Sequence, residues 1–517
     1  MSLARFAGER RVQEKWDICP VFWSKKQDKP QLLRSMKWLV LSATVLRKPT
    51  ICPRFCRLCE KETQTMRKLK RVIERAIIVL TAVAAMYGIS HGQEDTRIEI
   101  LPTIVVGQAY EDNIFLSRDN KQSDFITTVS PGILARVNSV KTKLDLEYFP
   151  TWVWYHEFSD RDTVRHNAKM DLVHRFTRRF SVELKENYVR TDDPYLQALD
   201  PSLRTQNMRR DRNIYERNSA SGSMKYQFGR EDLVEFGVVH QLLENQDQFL
   251  DDASEFGVFG SLAFWLNARN GIEVDLRFSG YDFNREIGPS EREDLKGYDP
   301  KGRYIHRFNR NTKVFGEYAI YLRDFEGQQP NYEIHEVRAG LEHSWGRNWN
   351  FALETGYFQP SGDLSGGALF SSRIRRKIKD GSLRFGVETG WDEGFLETDT
   401  RGFTKFWGAS GGVDYQVVED LRGNANISYR ENDREFETNL DDSILYGSLG
   451  LRYEVTRLIF LGLQYDYLDV SSEEEANEYV DNRFLLTLSA SYALYPFGDR
   501  PSRRGSPSIP GGTTGMR

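Results

Sequence analysis

The chain alternates. Between Lys143 and Trp154, Leu144, Leu146, Tyr148, Trp152 and Trp154 hold one parity, while Lys143, Asp145 and Glu147 hold the other. From Lys313 to Arg323, Val314, Tyr318, Ile320 and Leu322 stand against Lys313, Glu317 and Arg323. From Leu383 to Asp392, Leu383, Phe385, Val387 and Trp391 stand against Arg384, Glu388 and Asp392, and shorter runs recur at Ile272–Phe278 and Leu449–Glu454. A period of two sends successive side chains to opposite faces of an extended backbone. Each run therefore predicts a strand with one apolar and one wet face.

The links between these runs alternate in length as well. Short ones fall at Asn138–Val140, Arg178–Arg179, Gly229–Asp232, Asn267–Asn270, Asn309–Arg310, Gly346–Asn348, Lys379–Gly381, Glu419–Asp420 and Thr456. Longer polar stretches separate them at Glu111–Ser123, His156–Thr163, Thr191–Tyr215, Glu244–Asp252, Arg285–Leu295, Gly327–Asn331, Gly394–Arg401, Asn432–Asp441 and Ser471–Asp481. Pro360–Ser365 is a short link in a long slot. Short turns opposite long loops are the rhythm of a transmembrane antiparallel up-and-down β-barrel. Counting predicts 16 to 20 strands, with 20 the best value, between Ile98 and Phe497. A barrel of that size encloses water instead of a side-chain core. The rival all-β reading, a soluble propeller, needs a repeat of about 40 to 50 residues that the sequence lacks.

Composition agrees once alternation is known. Mean hydropathy is −0.57, and no run of uncharged apolar residues is long enough for a membrane helix. In a barrel wall only every second residue meets lipid, so a polar average does not exclude the membrane. Aromatic residues gather towards strand ends, as at Tyr148–Tyr155 and Tyr492–Phe497, the places where a girdle at the lipid interface would lie. A net charge of −4 with interleaved signs offers no basic stripe for nucleic acid.

The four cysteines, Cys19, Cys52, Cys56 and Cys59, all lie within the first 65 residues. From Met66, basic Arg67, Lys68, Lys70 and Arg71 precede the apolar run Ala76–Ile89 and then Ser90-His91-Gly92, which reads as a secretory signal cut after Gly92. On this reading 1–65 is a non-native extension, 66–92 the signal, 93–497 the barrel, and 498–517, rich in Pro, Gly, Ser and Arg, a disordered periplasmic tail. Cys52, Cys56 and Cys59 have thiolate spacing for zinc but no clear fourth ligand, and Cys56-Arg57-Leu58-Cys59-Glu60 lacks the histidine of haem attachment. Neither metal nor cofactor is expected.

The start of the mature chain adds a family signal. Leu101-Pro102, Tyr110-Glu111-Asp112-Asn113-Ile114-Phe115, Ser123-Asp124-Phe125-Ile126-Thr127 and Ser130-Pro131-Gly132 resemble the opening of the putative β-barrel porin 2 family. The resemblance implies an outer-membrane barrel without assigned chemistry, and some such barrels are encoded beside exopolysaccharide synthesis and export systems. It transfers no catalytic residue. Physically, Asp112 and Asn113 are turn formers whose side chains bond nearby backbone, and Pro131-Gly132 can break or bend a strand near its edge. The segment Arg483–Phe497 resembles the terminal strand recognised on outer-membrane insertion, which implies barrel-assembly machinery as a partner.

Candidate chemistry is sparse. His156, His166, His174, His240, His306, His335 and His343 are scattered, and no metalloprotease, nucleophile-elbow or phosphate-loop motif is present. His343 and Ser344, as strand neighbours, face opposite ways and form no dyad. Asp192-Asp193 and Asp251-Asp252 fall in expected loops and read as solvated acids or weak cation contacts. Strands begin too soon after Gly92 to leave room for a separate plug domain. Lys143, Glu147, Arg277, Glu317 and Arg384 have the parity of pore-lining residues. Arg204, Arg209, Arg210 and Arg212 sit in the longest loop. Folded inward they would narrow the pore and favour anions; folded outward they would meet lipopolysaccharide phosphate, and the usual surface placement of loops favours outward. The expectations are a porin-like conduit for polar solutes, with polysaccharide export as its possible link, or a structural or adhesive barrel whose loops bind surface polymers. An enzyme is not expected.

Overall fold

The computed structural model describes residues 96–195, 212–288, 290, 292–362, 364–396, 403–434, 441–473 and 477–494. The proposed extension, signal and tail lie outside them, as do Arg204, Arg209 and Arg210. Among the described residues 20 strands follow one another: β1 (Arg97–Glu111), β2 (Asp124–Asn138), β3 (Thr142–Tyr155), β4 (Thr163–Arg175), β5 (Phe180–Thr191), β6 (Tyr215–Gln227), β7 (Leu233–Asn245), β8 (Asp251–Trp265), β9 (Asn270–Arg285) and β10 (Leu295–Asn309). The second half is β11 (Thr312–Phe325), β12 (Tyr332–Trp345), β13 (Trp349–Pro360), β14 (Gly367–Ile378), β15 (Gly381–Asp392), β16 (Thr404–Val418), β17 (Leu421–Arg434), β18 (Asp441–Glu454), β19 (Ile459–Ser472) and β20 (Tyr479–Ser491). Each pairs antiparallel with its sequence neighbours, and β1 also pairs with β20, from Thr103↔Ser491 to Glu111↔Arg483. The sheet is a closed ring, so it has no free edge.

Local sequence explains the ring. The turns fall where Asn, Asp, Gly and Ser interrupt alternation, as when Asn267 Oδ1 accepts the N–H groups of Arg269 and Asn270. Turns at one end run from two residues, as at 419–420, to five, at 228–232; at the other end a loop reaches from 192 to 214. The outward face is apolar and exposed: Ile104, Phe125, Trp152, Phe236, Leu276, Tyr318, Phe385, Ile427 and Leu486 lie on it.

Three local expectations are corrected. Pro131-Gly132 does not end a strand: both lie inside β2 and pair with Ile104 and Thr103 of β1. Only the ladder to β3 lapses, between Val129↔Trp152 and Ile133↔Tyr148, where Pro131 and Pro150 lack N–H donors. Gly132 has a packing reason too, since a Cβ there would lie 2.1 Å from the buried Phe149 ring. The last strand begins at Tyr479, earlier than Arg483; beyond Ser491, the Tyr492 and Leu494 amides still donate to Pro102 and Ile100 of β1. Trp391, outward by parity, packs instead against Phe403, Tyr321 and Phe358, and its indole donates to the buried Glu336 at 3.0 Å. The β14–β15 ladder stops at Phe370↔Thr389, which frees the end of β15 to turn.

Candidate functional site

The family-like residues form a clasp across the seam where the barrel closes. Asp112 accepts the Asn482 backbone N–H at 2.7 Å and its side-chain amide at 2.8 Å. Asn113, fully buried, donates to the carbonyls of Val480 (3.0 Å) and Ser117 (2.8 Å) and accepts from the Ser117 N–H. Ile114 packs with Ala109, Ile126, Val153 and Tyr155. Phe115 meets Phe158 edge-on and lies under Arg161. Asp124 caps the next loop by accepting from His156, Glu157 and Phe158. Tyr110 leans on Phe125 outside, and the Pro102 carbonyl receives Tyr492. The side chains of Tyr110, Asp112, Asn113, Ile114, Phe115 and Asp124 are thus engaged by turns or packing.

The chemically unusual region is the inner wall at the loop end, where charges lie out of water. Asp192, Asp193 and Asp251, expected to be solvated, are buried. Immediately after β5 the chain turns inward: Asp192 accepts from Arg165 (2.5 Å) and Tyr155 (2.6 Å). Asp193 pairs with Arg483 at 3.2 Å and Arg165 at 3.3 Å. Tyr195 lies beneath the Arg483 guanidinium at 3.9 Å, donates to Asp481 and nears Tyr446 of β18, seven strands round the wall from β5. That contact requires crossing the lumen. Where the loop returns, Arg212 is buried, pairs with Glu111 and donates to Tyr155 at 3.4 Å. Both described ends of this loop therefore point inward, contrary to the outward placement that loop exposure favours: the inward Arg165, Arg483 and Glu111 offer its charges partners that water would otherwise supply.

The electrostatics follow from burial. Burial pushes the Asp193 carboxyl up, but Arg483 and Arg165 more than reverse it and hold it below the usual carboxylate range. Burial and the adjacent Asp481 raise the Tyr195 phenol, and burial pushes the Arg212 guanidinium down to about 10.

A second loop enters from the opposite side. Glu393, just after β15, binds Arg323 of β11 with a closest approach of 2.6 Å and accepts from Tyr332 of β12 at 2.7 Å. Arg323 also holds Asp299 at 2.6 Å. Phe395 packs on Tyr281 of β9, and its carbonyl accepts from Arg292. Leu396 reaches Tyr215, Leu243, Ala253, Phe283 and Leu295, on β6 to β10. The first loop thus meets the stretch of the mouth from β18 to β5, and the second the stretch from β6 to β12.

The five pore-lining candidates all stand on the inward parity. Arg277 pairs with Glu255 and donates to Ser279; Glu317 accepts from Arg303 at 2.7 Å; Arg384 pairs with Asp414 at 2.9 Å. Lys143, exposed, and Glu147 lie on β3 with Asp145 between them. The anchors Arg165, Arg323, Glu393 and Arg483 were not predicted from sequence. For Arg165, Arg323 and Arg483 the only sequence signal is a charge of inward parity near the loop end of a strand, and Glu393, which follows β15, carries none.

The profile of the family described as Putative beta-barrel porin 2 matches residues 405–492, from β16 to β20. No curated protein matches the sequence. Solved structures similar to this one include the siderophore receptor PirA from Pseudomonas aeruginosa (8% identity, 76% of this chain and 80% of that chain covered, TM-score 0.44). PirA from Acinetobacter baumannii (7%, 78% and 81%, 0.46) and the siderophore receptor PiuA from the same organism (10%, 76% and 82%, 0.45) are similar too. Among the described residues the chain is a closed, 20-stranded antiparallel β-barrel, and over 405–492 it matches the model of the family described as Putative beta-barrel porin 2.

Proposed function

We propose that the barrel is a conduit for polar solutes, narrowed at its loop end by the two inturned loops. The observation that carries this reading is the inner wall. Below the anchors it is lined by half-exposed charges of both signs, among them Lys225 with Glu183 and Glu235, Arg384 with Asp414, and Arg136 with Asp145. Such a wall holds water, and charged rings near a constriction select among the solutes that pass. Planar-bilayer recording of the purified protein tests this: stepwise conductance is expected, and a consistently silent barrel contradicts it.

The cargo is a further step. The first-hairpin resemblance makes polysaccharide the class to test first, with export components as partners, and oligosaccharides added to the bilayer should then interrupt the current. Lipopolysaccharide around the outer wall and assembly machinery acting on β20 complete the proposed setting. A signal running from Met66 to Gly92 would deliver the chain, and N-terminal sequencing of the mature protein checks it. Against a purely adhesive barrel stands the inward course of the described ends of two loops, which puts Asp192, Asp193, Arg212 and Glu393 against the inner wall.

A further inference from the structure

The outward apolar belt narrows on one side of the wall. Counted from the turn end, the seventh residue of β3, β9, β11 and β17 faces outward as Tyr148, Leu276, Tyr318 and Ile427, all exposed. The same position on β5 is Glu186. Only Phe180, Val182 and Leu184 precede it on the outward parity, and Tyr188 and Arg190 follow. On β6 the neighbouring outward residues continue the polar row. Asn218 donates to Glu186 at 3.3 Å, Tyr188 donates to Glu216 at 3.1 Å, and Arg190 pairs with Glu216 at 3.4 Å. The ladder then leads from the half-buried Glu186 through Ala220 to the exposed His240 of β7.

Even with Asn218 beside Glu186 and Tyr188 and Arg190 beside Glu216, a carboxylate row facing hydrocarbon at mid-wall is costly, and a facing protein surface that adds donors lowers that cost. We propose that the outward face of β5 and β6, with Glu186 at its centre, packs against the same face of a second copy of this chain. The patch is self-complementary: it holds acids, Glu186 and Glu216, beside donors, Arg190, Asn218 and His240. A two-fold rotation therefore sets the donors of one copy against the acids of the other, as an isologous interface requires. Ala220 and Gly222, the outward residues at the middle of β6, let the two sheets come close.

The test is site-specific photo-crosslinking of the full chain in outer membranes. A crosslinking residue at Ala220 should give an adduct of twice the chain mass, and one at Ile427 should not. Glu186→Leu should lower the 220 adduct about tenfold while the barrel keeps its heat-modifiable migration. Gly222→Phe, which changes no charge, should also remove the adduct by blocking close approach. Adducts at 220 to lipid alone, to lipopolysaccharide alone or to a different protein overturn the proposal, as does an equal self-adduct at 427. An undiminished yield in both variants overturns the assigned face.

Discussion

The two ends of the inner wall use the same kinds of residue in opposite states. Towards the turns, Lys225 lies 2.7 Å from Glu183 and Arg384 2.9 Å from Asp414, with side chains from one-fifth to two-fifths exposed. Towards the loops, Arg483 meets Asp466 at 3.0 Å and Arg323 meets Glu393 at 2.6 Å, with exposures of 0% to 10%. Distance barely separates the two sets; water does. An ion pair in a wet lumen contributes about 0–1 kcal/mol, whereas removing one partner of a buried pair strands a charge and costs roughly 3–5 kcal/mol. The turn-end charges can therefore act on solutes, while the loop-end charges act on the loops.

The sharpest way to break this contrast is Arg323→Ala. It leaves the buried Glu393 beside an empty site, so the second loop should lose about 3–5 kcal/mol of anchoring. Limited proteolysis within 393–403 should accelerate by roughly a hundredfold or more; an unchanged rate would show that Arg323 does not hold the loop. Gly132→Ala tests the wall beneath the seam, where the added Cβ meets Phe149 at 2.1 Å. The expected cost is about 1–3 kcal/mol, read as a lower temperature for the shift between folded and unfolded gel mobility. No shift would mean that Phe149 moves aside freely.

Acid probes the first loop. The Asp193 carboxyl is held below its usual range, so its contribution is complete above the unfolded value and is lost as pH falls through the folded one, below about 4. Hydrogen exchange at 192–195 should stay slow at neutral pH and accelerate in that acid window; acceleration that began near neutrality would point to another group. The smallest effect is expected from Lys225→Ala at the wet end. Stability should change by about 1 kcal/mol or less, while the reversal potential in a salt gradient should move towards cations. A large stability loss there would erase the distinction between the two ends.

Much of the wall was legible in the sequence because alternation and turn chemistry are local. Strand number, turn positions and the inward parity of Lys143, Glu147, Arg277, Glu317 and Arg384 all follow from a period of two. The mouth was not legible, because it depends on partners distant in sequence. Asp192-Asp193 looks like a solvated pair until Arg165 and Arg483 are seen beside it, and nothing local to Glu393 predicts Arg323. Arg212 was singled out for its loop, yet its burial against Glu111 could be known only from the closed ring. Trp391 shows the same limit: its parity points outward, but the end of the β14–β15 ladder lets it turn in.

The central claim is that a water-filled lumen is narrowed by two loops held through buried charges. Single-channel recording of the wild type beside an Arg165→Ala, Arg323→Ala double variant tests it most directly. The account predicts small, discrete steps in the wild type and steps several-fold larger once both anchors are cut. Equal conductance in the two proteins, or silence in both despite correct folding and insertion, would contradict it.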